Sequence, residues 1–509
     1  MANRADWQTH SPLTPPPVSL IYPPAPKLPA PRPAGMLFTS HQYLVFFLVV
    51  FALYWAMPWH RLRVYLLLAA SFYFYASWNQ WLALLVTGTA TLDYILARGI
   101  DAAPSRRLGR LFMLTSICVN LGVLCYFKYV NFFLDSLYRV LAVAPKDQYL
   151  LDVIVPFGIS FYTFEAISYT VDVYRGKLKA ERNLPNFLLF ILFFPHLVAG
   201  PIVRGKDFLR QAHRPKRWSW LRAQHGIQLI GLGLFKKLAI ADCMAIYSDR
   251  VWLPGQDVAT LSSGAAWMAV IAFTIRVYCD FSGYSDIALG CAHLLGYKLI
   301  VNFRMPYLSA NIAEFWRRWH ISLSNWLRDY IFIPLGGSRG GFWFTARNLT
   351  ITFALGGLWH GATWCWLVWG LLHAFMLIVH RAFREFTEAR PVLKWALETR
   401  AGTVLRILVT LFFVTLSMTF AQPSLEKALM VMQKLFVPEA GLSLPMDQNR
   451  LWWTLYLVVF AHLIVVFGVW KWVWRRLPGP VLGAGLALLF IAAQVLSPDT
   501  TKAFVYFQF

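Results

Sequence analysis

The sequence predicts an all-α, polytopic membrane protein with about ten transmembrane helices and re-entrant segments around a central cavity. Three observations carry that prediction. Of 509 residues, 58% are hydrophobic and 17% aromatic, and the mean hydropathy is +0.51, too apolar for an ordinary soluble fold. Apolar runs of bilayer length, about 20 residues each, recur along the chain. Lys and Arg outnumber Asp and Glu 47 to 24, for a net charge of +23, and the cations sit in short clusters between the apolar runs. That distribution excludes a nucleic-acid binder, which gathers its cations on a soluble basic face.

Taken in order, residues 1–35 hold ten prolines with no continuous apolar core and no small-residue cleavage site. They read as a disordered extension and not as a signal peptide. The sequence MLFTSHQYLVFFLVV, from Met36, looks like a natural N-terminus, and residues 36–509 form the membrane domain. Spans follow at 37–57, 62–78, 80–97, 111–138, 153–173, 225–247, 264–297, 404–421, 451–470 and 480–496. Two further apolar stretches fit badly as single spans: 184–203 is interrupted by Pro195, Gly200 and Pro201, and the overlong 348–380 by Gly356, Gly357 and Gly361. If both enter and leave on the same side, one face of the membrane collects 33 Lys and Arg and the other 10, which puts both termini outside the cytoplasm. Reading 348–380 as one crossing would export the basic 381–406 loop. Broken backbone in a membrane is tolerated only inside protein or beside a watery cavity, so two broken segments imply a central cavity.

Within this layout the most polar part of the chain, 298–347, holds NIAEFWRRWHISLSNWLRDYIFIPLGGSRGG. Asn311 with Glu314 starts a helix as a capping box does, and Gly336-Gly337 ends it. Helical spacing puts Trp316, Trp319, His320, Leu323, Trp326, Leu327 and Tyr330 on one face of an amphipathic helix at the membrane boundary. His320 is then either a packed histidine bonded to a carbonyl or, desolvated by its tryptophans, a neutral imidazole ready to accept a proton. His360, in LGGLWHGATWCW, lies at membrane depth between Gly357 and Gly361. An ionisable group there is costly unless paired or hydrated, so the functional reading outweighs the structural one. Arg276 and Asp280, one turn apart, are expected to pair with each other, with Asp280 the residue of that set best placed to line a polar path. Glu165 and Asp172 read as structural, and His196, in FFPHLVAGPIVR, as a loop residue bonded locally. Arg204, Lys206, Arg210 and Arg214 read as topology determinants, with a secondary capacity to attract an anionic cytosolic ligand. Cys118, Cys125, Cys243, Cys279, Cys291 and Cys365 show no metal spacing and read as small buried hydrophobes, so no metal site is expected.

The phosphate-loop, dinucleotide, zinc-protease and nucleophile-elbow motifs are all missing from the sequence. FFPHLVAGPIVR, DFSGYSDIALG, EFWRRWHISLSNWLRDYIFIPLGGSRGG and LGGLWHGATW, in that order and followed by a C-terminal YFQF, resemble the membrane-bound O-acyltransferase family. The likeness runs from Met36 to Phe509 and is nearest to the bacterial alginate O-acetyltransferase branch.

The resemblance implies a multi-helix bacterial inner-membrane enzyme with a central funnel. It makes His360 the match to the family's catalytic histidine and His320 to its second motif histidine, with Trp316, Trp319, Trp359 and Asp280 as substrate-contacting candidates. It further implies no permanently bound cofactor and a cytoplasmic acyl donor, acetyl-CoA or another acetyl donor. Periplasmic partners of the SGNH-hydrolase-like or carrier type would complete transfer to a polysaccharide such as alginate. Two other readings stay open at this point: D-alanyl or other acyl transfer to a cell-wall polymer, and a non-catalytic transporter of an acyl or lipid-linked molecule.

Overall fold

Polar residues at the head of each apolar run fix where the helices begin. Ser40, Asn79, Ser105, Asn183, Ser219, Ser262, Thr363, Thr399 and Ser424 each accept a backbone N–H from the first turn of the helix that follows, satisfying donors that have no partner inside the helix. The computed structural model describes residues 36–144, 148–198, 200–252, 257–422, 424–444, 448–498 and Phe504. The Pro-rich segment 1–35 and the YFQF ending lie outside the described residues.

The helices, in order, are α1 (His41–Ala56), α2 (His60–Ala76), α3 (Gln80–Ala102), α4 (Arg106–Leu124), α5 (Val130–Val140), α6 (Ile159–Tyr174), α7 (Leu184–Leu192) and α8 (Phe194–Leu197). They continue with α9 (Gly205–Ala212), α10 (Trp220–Leu234), α11 (Asp242–Trp252), α12 (Ser263–Leu294), α13 (Ile312–Arg318), α14 (Ile321–Leu327) and α15 (Gly341–His360). The last are α16 (Trp364–Glu388), α17 (Pro391–Glu398), α18 (Arg400–Ser417), α19 (Leu425–Phe436), α20 (Gln448–Val466), α21 (Val469–Arg476) and α22 (Gly479–Val495). Single π-turns join α4 to α5 at Cys125–Tyr129 and α10 to α11 at Phe235–Ala241. The only extended pairing among the described residues is an isolated bridge between Leu261 and Leu442.

Among the described residues, five helical stretches are long and apolar enough to cross a membrane: α3, the continuous Arg106–Val140, α12, α16 and Arg400–Phe420. Four of them fall on expected spans, and the fifth, α16, lies in a stretch expected to be re-entrant. The expected spans at 37–57, 451–470 and 480–496 form shorter apolar helices. The span at 153–173 starts late, because Gly158 turns the chain at φ 74° and a Cβ there would meet the Leu197 carbonyl oxygen at 2.5 Å.

The apolar window of α12 is 78% buried against 22–39% for the other four, so α12 is the central post and the others present a lipid-compatible outer face. Its approach to α10 depends on small residues: Gly226 faces Gly290 and Gly233 faces Gly283 in antiparallel register, with ideal Cβ positions on Gly290 and Gly233 only 2.5 Å from the opposing carbonyl oxygens. Its charged side chains find partners across helices. Arg276 bonds Asp249 at 2.6 Å, Asp280 meets Lys237 at 2.8 Å, and Asp286 meets Lys236 at 2.6 Å. The π-turn lysines and α11 thus supply opposite charge directly beside α12 to both members of the expected Arg276–Asp280 pair, and buried ions settle on such partners.

The stretch 348–380 also differs from expectation. Helix α15 runs unbroken through Gly356 and Gly357, and the chain turns only at 361–363. The break falls at Gly361, the third of the glycines expected to interrupt the stretch, whereas Gly357 and Gly370 serve contact: a Cβ on Gly357 would sit 2.2 Å from the Trp366 carbonyl oxygen, and one on Gly370 2.2 Å from that of Phe353. The stretch is therefore a tight antiparallel hairpin of α15 and α16 with its ends on the same side. Gly370→Ala is expected to cost about 1–3 kcal/mol through overpacking, read as a lower unfolding midpoint in detergent; an unchanged midpoint would mean the two backbones are not in contact there. Cys118 and Cys125 are exposed on the outer face, unlike the other four free cysteines, which are buried as expected.

Candidate active site

The expected amphipathic helix over 311–335 is broken at His320. Asn311 accepts from the Glu314 N–H at 2.8 Å, as in a capping box, while the Glu314 carboxylate accepts from the Ala310 N–H at 2.9 Å, one residue before the cap. Helix α13 then ends at Arg318, and His320 takes a left-handed backbone, φ 40° and ψ 56°. A non-glycine residue there is strained by about 1–3 kcal/mol and persists only where its surroundings over-determine it. Here the neighbouring segment does so: Arg304 N–H bonds the Arg318 carbonyl at 2.9 Å, Ile321 N–H the Asn302 carbonyl at 3.0 Å, and Ser322 N–H the Asn302 side chain at 3.3 Å. The indole of Trp326 completes the clamp, stacking on Phe164 of α6 at 3.7 Å and donating to the Phe164 carbonyl at 2.8 Å.

The kink turns the His320 ring inward, where none of it is exposed. Its ring lies 4.7 Å from Phe281 of α12 and 5.8 Å from Trp359, centroid to centroid. Both ring nitrogens are buried with no hydrogen-bond partner among the described residues, so the carbonyl-bonded alternative is not what the structure shows.

His360 is the last residue of α15, and its ring stacks on Trp366 at 5.3 Å and meets Trp369 edge-on at 5.0 Å. Trp359 touches both histidine rings, 4.9 Å from His360 and 5.8 Å from His320. A third histidine, His373 on α16, packs 4.4 Å from Trp369 and 5.2 Å from Trp316, with Nε2 3.1 Å from Ser417 Oγ. The structure thus gathers His320, Trp359 and His360 directly, and Trp316 one layer away through His373. Trp319 faces outward from this group onto Phe303 and Phe315, and Asp280 joins the Lys237–Asp242 charge cluster.

Several groups at the site carry no signal that a motif search reads. Lys128 Nζ donates to the Trp359 carbonyl at 2.6 Å and the His360 carbonyl at 3.2 Å, and Tyr129 Oη to the Leu358 carbonyl at 2.9 Å. An ammonium inside the apolar run 111–138 is the one clue the sequence offers to them. His196 is not bonded locally, as its loop setting suggests: its Nδ1 lies 3.3 Å from Glu165 of α6, whose carboxylate also accepts the Val203 N–H at 2.8 Å. Ile202 N–H donates to Ser322 at 3.0 Å. The two broken stretches, 184–203 and 348–380, therefore converge on residues 319–322. Arg204 pairs with Asp329 at 3.2 Å and lies 4.4 Å over the Tyr330 ring. Among the described residues no group of His, Cys, Asp and Glu has the geometry to hold a metal ion.

A helical bundle with long apolar spans that gathers imidazoles around the end of one helix defines a membrane protein with a buried histidine site. The chain belongs to the membrane-bound O-acyltransferase family, whose profile matches residues 114–421, and it is accordingly a multi-pass membrane acyltransferase. It is 42% identical over 367 residues to the protein named "Probable alginate O-acetylase AlgI" of Pseudomonas aeruginosa, covering 71% of this chain and 69% of that one. It is 35% identical over 402 residues to the peptidoglycan O-acetyltransferase of Helicobacter pylori, covering 72% of each chain. To the teichoic acid D-alanyltransferase of Bacillus subtilis it is 30% identical over 275 residues, 50% of this chain and 66% of that one.

Proposed function

We propose that the protein is an O-acetyltransferase that moves an acetyl group from a cytoplasmic thioester donor, acetyl-CoA or a related carrier, across the inner membrane for O-acetylation of an exported polysaccharide such as alginate. The arrangement of His320, Trp359 and His360 carries this reading: one buried aromatic ring bridges two imidazoles, and His320 presents two unpaired ring nitrogens. In the proposed step His360 takes the proton of the acceptor hydroxyl as that oxygen attacks the thioester carbonyl carbon. The tetrahedral intermediate collapses by breaking the C–S bond, and the leaving thiolate recovers the proton from His360. A protonated ring nitrogen of His320 or an indole N–H donates to the oxyanion. Closure of the site protects the thioester from water. Trp359 is the best placed of the proposed substrate contacts, with Trp316 and Trp319 behind it and Asp280 on the α12 side.

The proposal includes ten crossings with both termini in the periplasm, which the charge asymmetry supports. It also includes a periplasmic SGNH-hydrolase-like or carrier partner that completes transfer to the polymer. The relatives named as D-alanyltransferases favour a second reading, D-alanyl transfer from a carrier protein to a cell-wall polymer. Single turnover in proteoliposomes separates the two. Labelled acetyl-CoA is expected to lose its acetyl group to an acceptor hydroxyl, and a D-alanyl carrier thioester to stay intact. Cleavage of the D-alanyl thioester alone would replace the first reading with the second.

A further inference from the structure

Away from the histidine site, a cavity of about 700 Å³ opens between α16, α17 and α18, with Asn311 and Ile312 at its back. Neither His320 nor His360 lines it. Its two ends differ in chemistry. Toward the bundle the walls are Phe375, Met376 and Val379 of α16 and Val409 and Phe413 of α18. At the other end stand Arg384, Lys394 and Arg406. Glu388 and Glu398 also line this end, and Glu388 lies 3.6 Å from Arg384 with both side chains more than half exposed, a pairing that solvent leaves weak. Arg406 has no such partner: among the described residues its Nε is buried and unbonded, and its only side-chain bond is a 3.4 Å contact from Nη2 to Thr403.

Helix α17 places this charged end at a boundary. It follows the end of α16 and carries exposed Val392 and Trp395 on either side of Lys394, the pairing of aromatic and cation that marks a membrane–water interface. From Phe375 to Glu388 the rise along α16 is about 20 Å. The cleft therefore runs from cations at the interface to apolar walls below it. A free polyphosphate would satisfy the cations and leave the apolar half unused.

We propose that this cleft binds one phospholipid with an anionic headgroup, its phosphate held by Arg406 and Lys394 and an acyl chain lying between α16 and α18 against Phe375, Val379, Val409 and Phe413. Bound there, the lipid buttresses Asn311 and Ile312, the start of the helix that brings Trp316 to His373.

Native mass spectrometry of the full-length protein, after mild delipidation and titration with phosphatidylglycerol or phosphatidylcholine, tests the proposal without reading activity. The wild type is expected to bind one phosphatidylglycerol at least tenfold more tightly than phosphatidylcholine. Arg406→Ala is expected to weaken phosphatidylglycerol about tenfold, the scale of a lost charge-assisted hydrogen bond, and Val409→Trp to exclude both lipids by filling the apolar half. Arg406→Gln and Val409→Phe replace either variant that fails to elute as a single species. Equal affinity for the two lipids, wild-type affinity in both variants, or displacement of the lipid by inorganic phosphate alone would overturn the proposal.

Discussion

His360→Gln is expected to leave the protein folded and to lower single-turnover acetyl transfer by about 10²- to 10⁴-fold, the range over which a positioned general base acts. Glutamine keeps enough volume to rest on Trp366 and Trp369, the rings against which His360 packs, but it cannot take up the acceptor's proton. His360→Ala serves as the second variant; it removes the ring as well and is expected to lose the same activity with a lower unfolding midpoint. Donor affinity should change little in the glutamine variant, because the loss falls on the transition state and not on ground-state binding. His320→Asn is expected to cost less, about 10²- to 10³-fold, as for removal of one oxyanion donor. The measurement is release and transfer of label from acetyl-CoA in proteoliposomes, with helix content checked on the same sample. Wild-type transfer by folded His360→Gln would remove His360 from the chemistry.

His360 is legible in the sequence because membrane depth makes an ionisable side chain conspicuous, and because the charge asymmetry requires 348–380 to begin and end on one side. The hairpin of α15 and α16 satisfies that requirement: its turn falls at Gly361, and the helix runs on through Gly356 and Gly357. The kink at His320 is not legible in the same way. Trp316, Trp319 and Trp326 keep helical spacing on both sides of it, and the bonds that break the helix come from Asn302 and Arg304, outside the periodic segment. Tertiary bonds override a local pattern that is internally consistent. The cross-helix partner of Asp280, Lys237, is likewise not legible, because it lies outside the helix that carries Asp280 and buried ions answer to whichever opposite charge the packing brings. His373 does carry a sequence signal, since Trp366, Trp369 and His373 follow the three- and four-residue steps of one helix face. Its neighbours then need the fold, because Trp316 reaches it from α13.

Lys128→Met is expected to reduce transfer nearly as much as loss of the base itself, although Lys128 is placed to touch backbone and not substrate. The last carbonyls of α15 have no N–H four residues on, because the chain leaves the helix at 361–363. Within a bundle this apolar no water is at hand to replace those partners. The π-turn between α4 and α5 brings two side chains to the task, Lys128 on the Trp359 and His360 carbonyls and Tyr129 on that of Leu358. A cation at a helix C-terminus also meets the negative end of the helix dipole. Methionine matches lysine in length but donates nothing, leaving two buried carbonyls unpaired at about 1–3 kcal/mol each. The turn carrying His360 is then free to shift, and a displacement near 1 Å is enough to cost about 10²-fold in rate. Because Lys128 acts through His360, the effect should appear in kcat with KM for the donor nearly unchanged, and Lys128→Arg should recover part of it by restoring a donor to the same carbonyls. The sharper readout is the double variant. In a His360→Gln background, Lys128→Met should cost almost nothing further, since residues that work as one unit are strongly non-additive. Full additivity in that cycle, in protein that remains folded, would mean that Lys128 contributes to the reaction by a route other than holding the end of α15.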